Sequence, residues 1–425
     1  MKGFLKNKVM QNASWMIIGR IYQMGLAFAV SLLTARYLGP SNYGLINYAA
    51  SFSSFFSTFC VLGINSIIVK NFIDYPSEEG KTIGSAIGIR MISSACSVVL
   101  MLVATFFLDR GERTTHIVVL LLGLGMMPQV FDTLNYWFQA KLQSKYAAMA
   151  SSVGYTVMMA YKITLLILKK NVIWFAASSS IEYLVIAGCL YYNYKKHKGP
   201  ALSFSWRKVK ELLSSSHHFI LVSLMISIYG STDKLMLKQM MSETEVGFYS
   251  TAVALCGIWC FVLAALNDSM YPVIVEAFDS DIKLFERRCK QLYAIVFYVS
   301  IFASTIYTIF AKYMVVILYG TDYLPAVTPV RIVTWYIAFS YLGDARNVWV
   351  ISYNCQKHLK YLYVGSAITN IALNYLLIPV LGVSGAALAS VITQISTIMV
   401  FPLFIQDMRP NVKLMWDAIR LKDVF

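Results

Sequence analysis

The sequence predicts an all-α integral membrane protein with about 12 transmembrane helices in two six-helix lobes. Three observations carry that expectation. Of the 425 residues 58% are apolar and 13% charged, against about 45–50% and about 25% in soluble globular chains. Apolar runs able to cross a bilayer recur along the whole chain, each in need of roughly 20 residues. The two halves of the chain also resemble one another weakly in sequence. With a mean hydropathy of +0.61, a water-soluble enzyme is excluded, and no room remains for a separate soluble domain.

The runs follow in order, divided by short polar turns whose basic residues set the topology. They lie near residues 13–35, 43–69, 83–108, 116–139, 147–168, 172–193, 215–238, 246–270, 291–319, 329–352, 360–380 and 384–406. With Met1 in the cytoplasm, the inner segments carry Lys2, Lys6 and Lys8, Lys70 and Lys81, Lys141 and Lys145, Lys195 to Lys210, Lys283 to Lys290, Lys357 and Lys360, and a basic tail. That places 23 Lys/Arg inside and six outside: Arg36, Arg110, Arg113, Lys169, Lys170 and Lys238. Both termini are therefore expected in the cytoplasm, and most of the net charge of +15 is topology rather than a nucleic-acid surface. The N-terminus runs straight into the first span, so no cleaved signal peptide is expected. Seven Cys without a CxxC pair read as small apolar residues, and neither a disulfide framework nor a metal site is expected.

The longest hydrophilic stretch, residues 194–216, contains Gly199-Pro200 and falls mid-chain. It divides the chain into an N-terminal lobe (1–193, spans 1–6), a cytoplasmic linker (194–214) and a C-terminal lobe with tail (215–425, spans 7–12). Residues 33–65 align without a gap on 236–268, pairing Gly44 with Gly247, Ala49 with Ala252 and Asn65 with Asp268. Internal symmetry of this kind is typical of two-lobed secondary transporters.

Several short motifs together resemble a known family. They are Thr34-Ala35-Arg36-Tyr37-Leu38-Gly39-Pro40 with Tyr43-Gly44, Leu62-Gly63-Ile64, Asp233-Lys234, Val246-Gly247-Phe248-Tyr249 with Ala252, Tyr271-Pro272 and Gly382-Val383-Ser384-Gly385-Ala386-Ala387. The sequence resembles the Wzx-type polysaccharide flippases (O-antigen and capsule transporters) of the multidrug/oligosaccharidyl-lipid/polysaccharide (MOP) exporter superfamily. The resemblance implies a MATE-like, V-shaped, pseudo-twofold fold. It also implies a substrate, a polyprenyl-pyrophosphate-linked oligosaccharide moved from the inner to the outer leaflet of a cytoplasmic membrane by alternating access. Polysaccharide polymerase and chain-length machinery are the partners it implies, beside the lipid bilayer; no nucleic acid is expected.

Ionisable groups at bilayer depth cost several kcal/mol unless they face a cavity or a partner, so they are the functional candidates. Seven basic ones lie within the spans: Arg20, Arg90, Lys162, Lys234, Lys312, Arg331 and Arg346. Arg20 and Gln23 begin a stripe continued by Ala27, Ser31 and Thr34 on one helical face, and Ser223, Ser227, Gly230 and Lys234 repeat it in span 7. Snorkelling to the interface is the bland alternative for Arg20, and for Arg331, which begins span 10 after Pro329. Arg90 lies beside Gly84-x-x-x-Gly88, read as a helix-packing motif, and Lys162 sits mid-span. Because Arg and Lys recognise phosphate through charge-assisted hydrogen bonds, a cationic cleft of Arg20, Gln23, Arg90, Lys162, Lys234 and Arg331 favours an anionic headgroup.

Coupling or gating candidates are Asp132, Asp233, Asp268, Asp344 and Arg346, with structural salt bridges as the alternative. Asp132 follows Pro128, which is expected to kink span 4. A buried carboxylate can take up H⁺, and one with amide neighbours can hold Na⁺. No cofactor is expected beyond coupling to H⁺, Na⁺ or the membrane potential.

Asp279-Ser280-Asp281 resembles a glycosyltransferase DxD but reads better as a cap of the amphipathic helix that follows. His217-His218 lacks further metal ligands. Two alternatives to the flippase stand beside it: a cation-coupled multidrug exporter of the same superfamily, which would prefer an acidic cleft, and a membrane polysaccharide polymerase or glycosyltransferase, which the short outer loops disfavour.

Overall fold

The computed structural model describes the backbone of residues 2–424, and the side chains of these except 2–14, 16–18, 20, 66, 217–219, 221 and 222. Among the described residues the regular structure is wholly helical. Eight of the described helices are long and apolar enough to cross a membrane.

The first two apolar runs form one element, α1 (Lys2–Val61), kinked at Gly39 with φ 71° and ψ 172°. A positive φ suits glycine, and Pro40 lacks the N–H that the broken turn would leave without a partner. In the register that pairs Leu33 with Met236, Gly39 pairs with Ser242. Ser242 is itself a helix boundary: extended, and capping the Glu245 N–H at the start of α10. The sequence repeat thus coincides with a repeated helix break.

After Leu62-Gly63, both at positive φ, come α2 (Asn65–Asp74) and α3 (Glu79–Leu108). The fourth run is broken, as Pro128 leads one to expect, into α4 (Arg113–Leu124), α5 (Met126–Gln129), a 3₁₀ turn at Val130–Asp132 and α6 (Thr133–Ala140). Helices α7 (Ser144–Ile167) and α8 (Val172–Lys196) follow. The longer α9 (Trp206–Met240) comes next.

The eighth run departs from expectation. It is two helices, α10 (Glu243–Gly257) and α11 (Cys260–Ser280), parted at Ile258-Trp259. Next come α12 (Ile282–Tyr319), α13 (Val327–Ser352), α14 (Leu359–Leu381) and α15 (Val383–Ile395). A π turn at Ser396–Val400 and the amphipathic α16 (Arg409–Ile419) complete the chain. Asp281 caps α12 by accepting from the Lys283 N–H at 2.9 Å.

The chain divides into two compact units, Met1–Ser227 and Ile228–Phe425, so the division falls within α9. In the first unit Ile68, Ile83, Leu134, Phe138 and Tyr194 share one apolar core. Within a bilayer such side chains stabilise the unit by close van der Waals packing rather than by leaving water.

The hydrophilic stretch before α9 is docked on this unit. The Ser203 N–H donates to Gly80 O at 3.2 Å, and the Ser205 N–H to Ser85 Oγ at 3.0 Å. A Cβ on Gly80 would lie 2.2 Å from Ala201 O, on Gly84 2.4 Å from Ser203 O, and on Gly88 2.7 Å from the Phe204 ring. The Gly84-x-x-x-Gly88 face therefore receives an extended chain, not a helix as the sequence suggested. Either partner needs the same thing from glycine, a bare backbone surface to approach. Lys208, paired with Glu78 at 3.3 Å and Glu211 at 3.0 Å, secures the start of α9.

In the second unit α16 lies against α12. Its Ile419 carbonyl accepts from Tyr298 Oη at 2.8 Å, and its Asp417 faces Lys290 at 3.5 Å.

Candidate functional site

Two ionisable clusters, one in each unit, hold half of the charged residues that the sequence places within the spans. In the first unit Arg90 on α3 is 2% exposed. Its Nη1 donates to Thr133 Oγ1 at 2.9 Å, while its Nε is buried without a partner. The break at Pro128 and the 3₁₀ turn that follows bring Asp132 and Thr133 round to this guanidinium, and Asp132 attracts it electrostatically. Lys162, half-buried on α7, is likewise held in the field of Glu182 on α8. Asp132 and Glu182 also repel one another. The bases Arg90 and Lys162 thus each have an acid partner, which offsets the several kcal/mol that an isolated charge costs at this depth.

Beside this quartet lies an open pocket of about 210 Å³. Its polar lining comes from Ser53, Ser54 and Ser57 on α1, Gln129 on α5, and Ser179 and Tyr183 on α8. The spacing 53, 54, 57 puts the three serines on one helical face, and 179 and 183 are one turn apart. Gln129 is three residues before Asp132, and Tyr183 follows Glu182, so the pocket backs onto both carboxylates; Tyr183 is coupled electrostatically to the two acids. At its edge Ser227 Oγ donates to Ser54 O at 3.3 Å.

In the second unit the centre is Asp233 on α9, 7% exposed. Its Oδ1 accepts from Asn370 Nδ2 at 3.1 Å and Asn374 Nδ2 at 2.7 Å, both on α14. Its Oδ2 accepts from the hydroxyls of Tyr249 on α10 and Ser390 on α15. A single carboxylate thereby ties four helices together. Asn374 Nδ2 also reaches Asn370 Oδ1 at 3.1 Å, and Asn374 Oδ1 is buried without a partner. One turn before Asp233, Tyr229 Oη donates to Gln394 Oε1 at 2.8 Å. Lys234, half-buried, feels the Asp233 charge. A carboxylate ringed by amides and hydroxyls, with a spare amide oxygen close by, is chemically suited to taking up a proton or a hard cation.

The other candidates are dispersed. Arg346 on α13 is 2% exposed and donates from Nη1 to Thr397 O at 3.2 Å. That carbonyl lies in the π turn, whose geometry loosens the helical ladder. Asp344, two residues earlier, is exposed. Arg331 is exposed, with Nε donating to Thr308 O at 3.2 Å. Asp268 is exposed on α11 and Gln23 half-buried on α1. The side chain of Arg20, and those of His217 and His218, lie outside the described residues.

Sequence reasoning singled out Asp233 but missed Asn370, Asn374, Tyr249 and Ser390. One signal was present: two amides one turn apart, Asn370 and Asn374, in an otherwise strongly apolar run.

The family described as polysaccharide biosynthesis protein matches residues 9–278. None of the curated proteins compared matches the chain. Among solved structures, the lipid II flippase MurJ in an inward closed conformation is similar at TM-score 0.75 and 14% identity, over 96% of this chain and 91% of that one. An inward-facing multidrug resistance MATE family transporter of the MOP superfamily is similar at TM-score 0.70 and 14% identity, over 93% and 96%. A eukaryotic MATE transporter, AtDTX14, is similar at TM-score 0.65 and 13% identity, over 99% and 100%. The chain, an all-α membrane protein with the MOP transporter fold, belongs to the polysaccharide biosynthesis protein family.

Proposed function

We propose that the protein is a flippase that carries a polyprenyl-pyrophosphate-linked oligosaccharide repeat unit from the inner to the outer leaflet of the cytoplasmic membrane by alternating access. The observation that carries this reading is the family match over residues 9–278, on a fold shared with a lipid flippase. Both termini face the cytoplasm, and the product passes to polymerase and chain-length machinery on the outer side. No cofactor takes part. The driving bias is a cation, H⁺ or Na⁺, bound at Asp233, where its arrival exchanges hydrogen bonds with Asn370, Asn374, Tyr249 and Ser390 for ligation. Such a cation shifts the balance of facing states only as far as its affinity differs between them.

A second reading has an observation in its favour. Asp132 and Glu182 offset Arg90 and Lys162, so these two bases do less to make a cleft cationic, and that lessens the preference for an anionic headgroup over the substrate of a cation-coupled multidrug exporter. A strain deleted for the protein separates the two. On the flippase reading it accumulates unpolymerised lipid-linked repeat units on the inner leaflet, relieved by the wild-type protein. Unchanged lipid-linked pools together with altered sensitivity to cationic drugs would instead establish the exporter.

A further inference from the structure

The polar pocket of the first unit is assigned no role by the cation chemistry at Asp233. Its lining residues sit near the middles of α1's second half, the α4–α6 run and α8. Among the described residues, no protein partner engages the side chains of Ser53, Gln129 or Ser179. Polar groups at bilayer depth that lack a partner in the protein must meet water or a polar ligand, since hydrocarbon offers neither donor nor acceptor.

The character of the pocket narrows the ligand. None of the nine lining residues is charged. Immediately behind them two acids offset two bases, Asp132 with Arg90 and Glu182 with Lys162. A pyrophosphate would gain little from so balanced a field, and a cationic drug no more. The lining offers hydroxyls, which donate and accept, together with one amide that does both. It also has an aromatic ring, Tyr183, with an apolar face and a polar tip. The rest of the lining, Ala50 on α1 with Leu122 and Met126 on α4 and α5, is apolar. An amphipathic neutral body with many hydroxyls matches this pattern, and about 210 Å³ is the size of one sugar ring.

We infer that this pocket is a subsite for a single uncharged sugar ring of the translocated headgroup, with Gln129 and Ser179 as its specificity-determining hydrogen-bond partners. The inference rests on the flippase reading and adds to it. The phosphates are recognised elsewhere, and the first unit selects the sugar. A sugar lacking a matched hydroxyl loses the hydrogen bond to Gln129 or Ser179, about tenfold in affinity for each.

The test uses purified full-length protein and two probes, farnesyl pyrophosphate and farnesyl-pyrophosphate-linked disaccharide. Their affinities are measured for wild type, Gln129→Leu, Ser179→Ala and Ala50→Trp, each checked for an unaltered unfolding midpoint. The expected result is about a tenfold loss of affinity for the glycosylated probe in the first two variants, one hydrogen bond's worth, with the sugar-free probe unchanged. Ala50→Trp, which fills the pocket, is expected to reduce binding of the two probes to the same sugar-independent level. Variants that bind both probes like wild type, or lose both equally, would overturn the subsite while leaving the flippase standing. A wild-type protein that binds neither probe would sink the flippase reading and the subsite with it.

Discussion

Replacing Asp233 by leucine and by asparagine gives opposite structural outcomes, because the carboxylate accepts four hydrogen bonds in a nearly sealed site. Leucine accepts none. Some of the four donors can find substitutes: Tyr249 and Ser390 hydroxyls already lie 3.3 Å apart, and Asn374 Nδ2 keeps Asn370 Oδ1 at 3.1 Å. Two donors remain without partners, the Asn370 amide and one hydroxyl proton. At about 1–3 kcal/mol per buried unsatisfied group, Asp233→Leu costs about 2–6 kcal/mol, a large share of the roughly 5–15 kcal/mol that holds a domain together. Asparagine keeps all four contacts. Its carbonyl oxygen faces the two amide donors, its NH₂ faces the two hydroxyls, and those rotate to accept. Thermal unfolding in detergent, followed by tryptophan fluorescence and size exclusion, is expected to show Asp233→Asn near wild type and Asp233→Leu lowered by several degrees or aggregated. Equal midpoints for the leucine variant and wild type would refute the reasoning, since the site would then not depend on its carboxylate.

At the docked linker, Gly84→Ala places a Cβ 2.4 Å from the Ser203 carbonyl oxygen, a backbone atom that cannot swing aside. Trypsin is expected to cleave near Arg207 faster in this variant than in Gly25→Ala, where a Cβ meets nothing within 4 Å; equal rates would contradict the docking. For the first unit's ion cluster, Arg90→Met removes the Thr133 hydrogen bond and the cation whose field reaches Asp132, and it is expected to lower the unfolding midpoint. Adding Asp132→Asn recovers much of the loss, and a double-mutant cycle with no coupling energy would show that the two do not act as a pair.

Much of the fold was legible because the signals were local. Hydropathy marks the spans and Pro128 marks the broken fourth run, whereas the first two runs, expected as separate spans, are one element kinked at Gly39. The parting of α10 from α11 at Ile258-Trp259 was not legible, for hydropathy runs through it without a change. At the site, Arg90, Asp132, Lys162 and Asp233 stood out as charges in apolar surroundings, but the uncharged partners of Arg90 and Asp233 did not. Asn370 and Asn374 lie 137 and 141 residues from Asp233, and periodicity within one helix says nothing about which face of another it meets. The glycine face of α3 was visible as a close-approach surface, yet an extended chain and a helix ask the same of it. The serine face of α1 carries no charge, so a search for buried ions passes over it; only the assembled pocket reveals it.

The central claim, cation-driven flipping of a lipid-linked oligosaccharide, is tested most directly in proteoliposomes. They hold the purified protein and a fluorescent polyprenyl-pyrophosphate-linked oligosaccharide, whose arrival in the outer leaflet is read by a membrane-impermeant quencher. The expected result is transfer by wild type that accelerates when an Na⁺ or H⁺ gradient is imposed, and an Asp233→Asn protein, equally well folded, that no longer responds to the gradient. No transfer by wild type, with gradient-driven movement of a cationic dye in the same vesicles, would contradict the account.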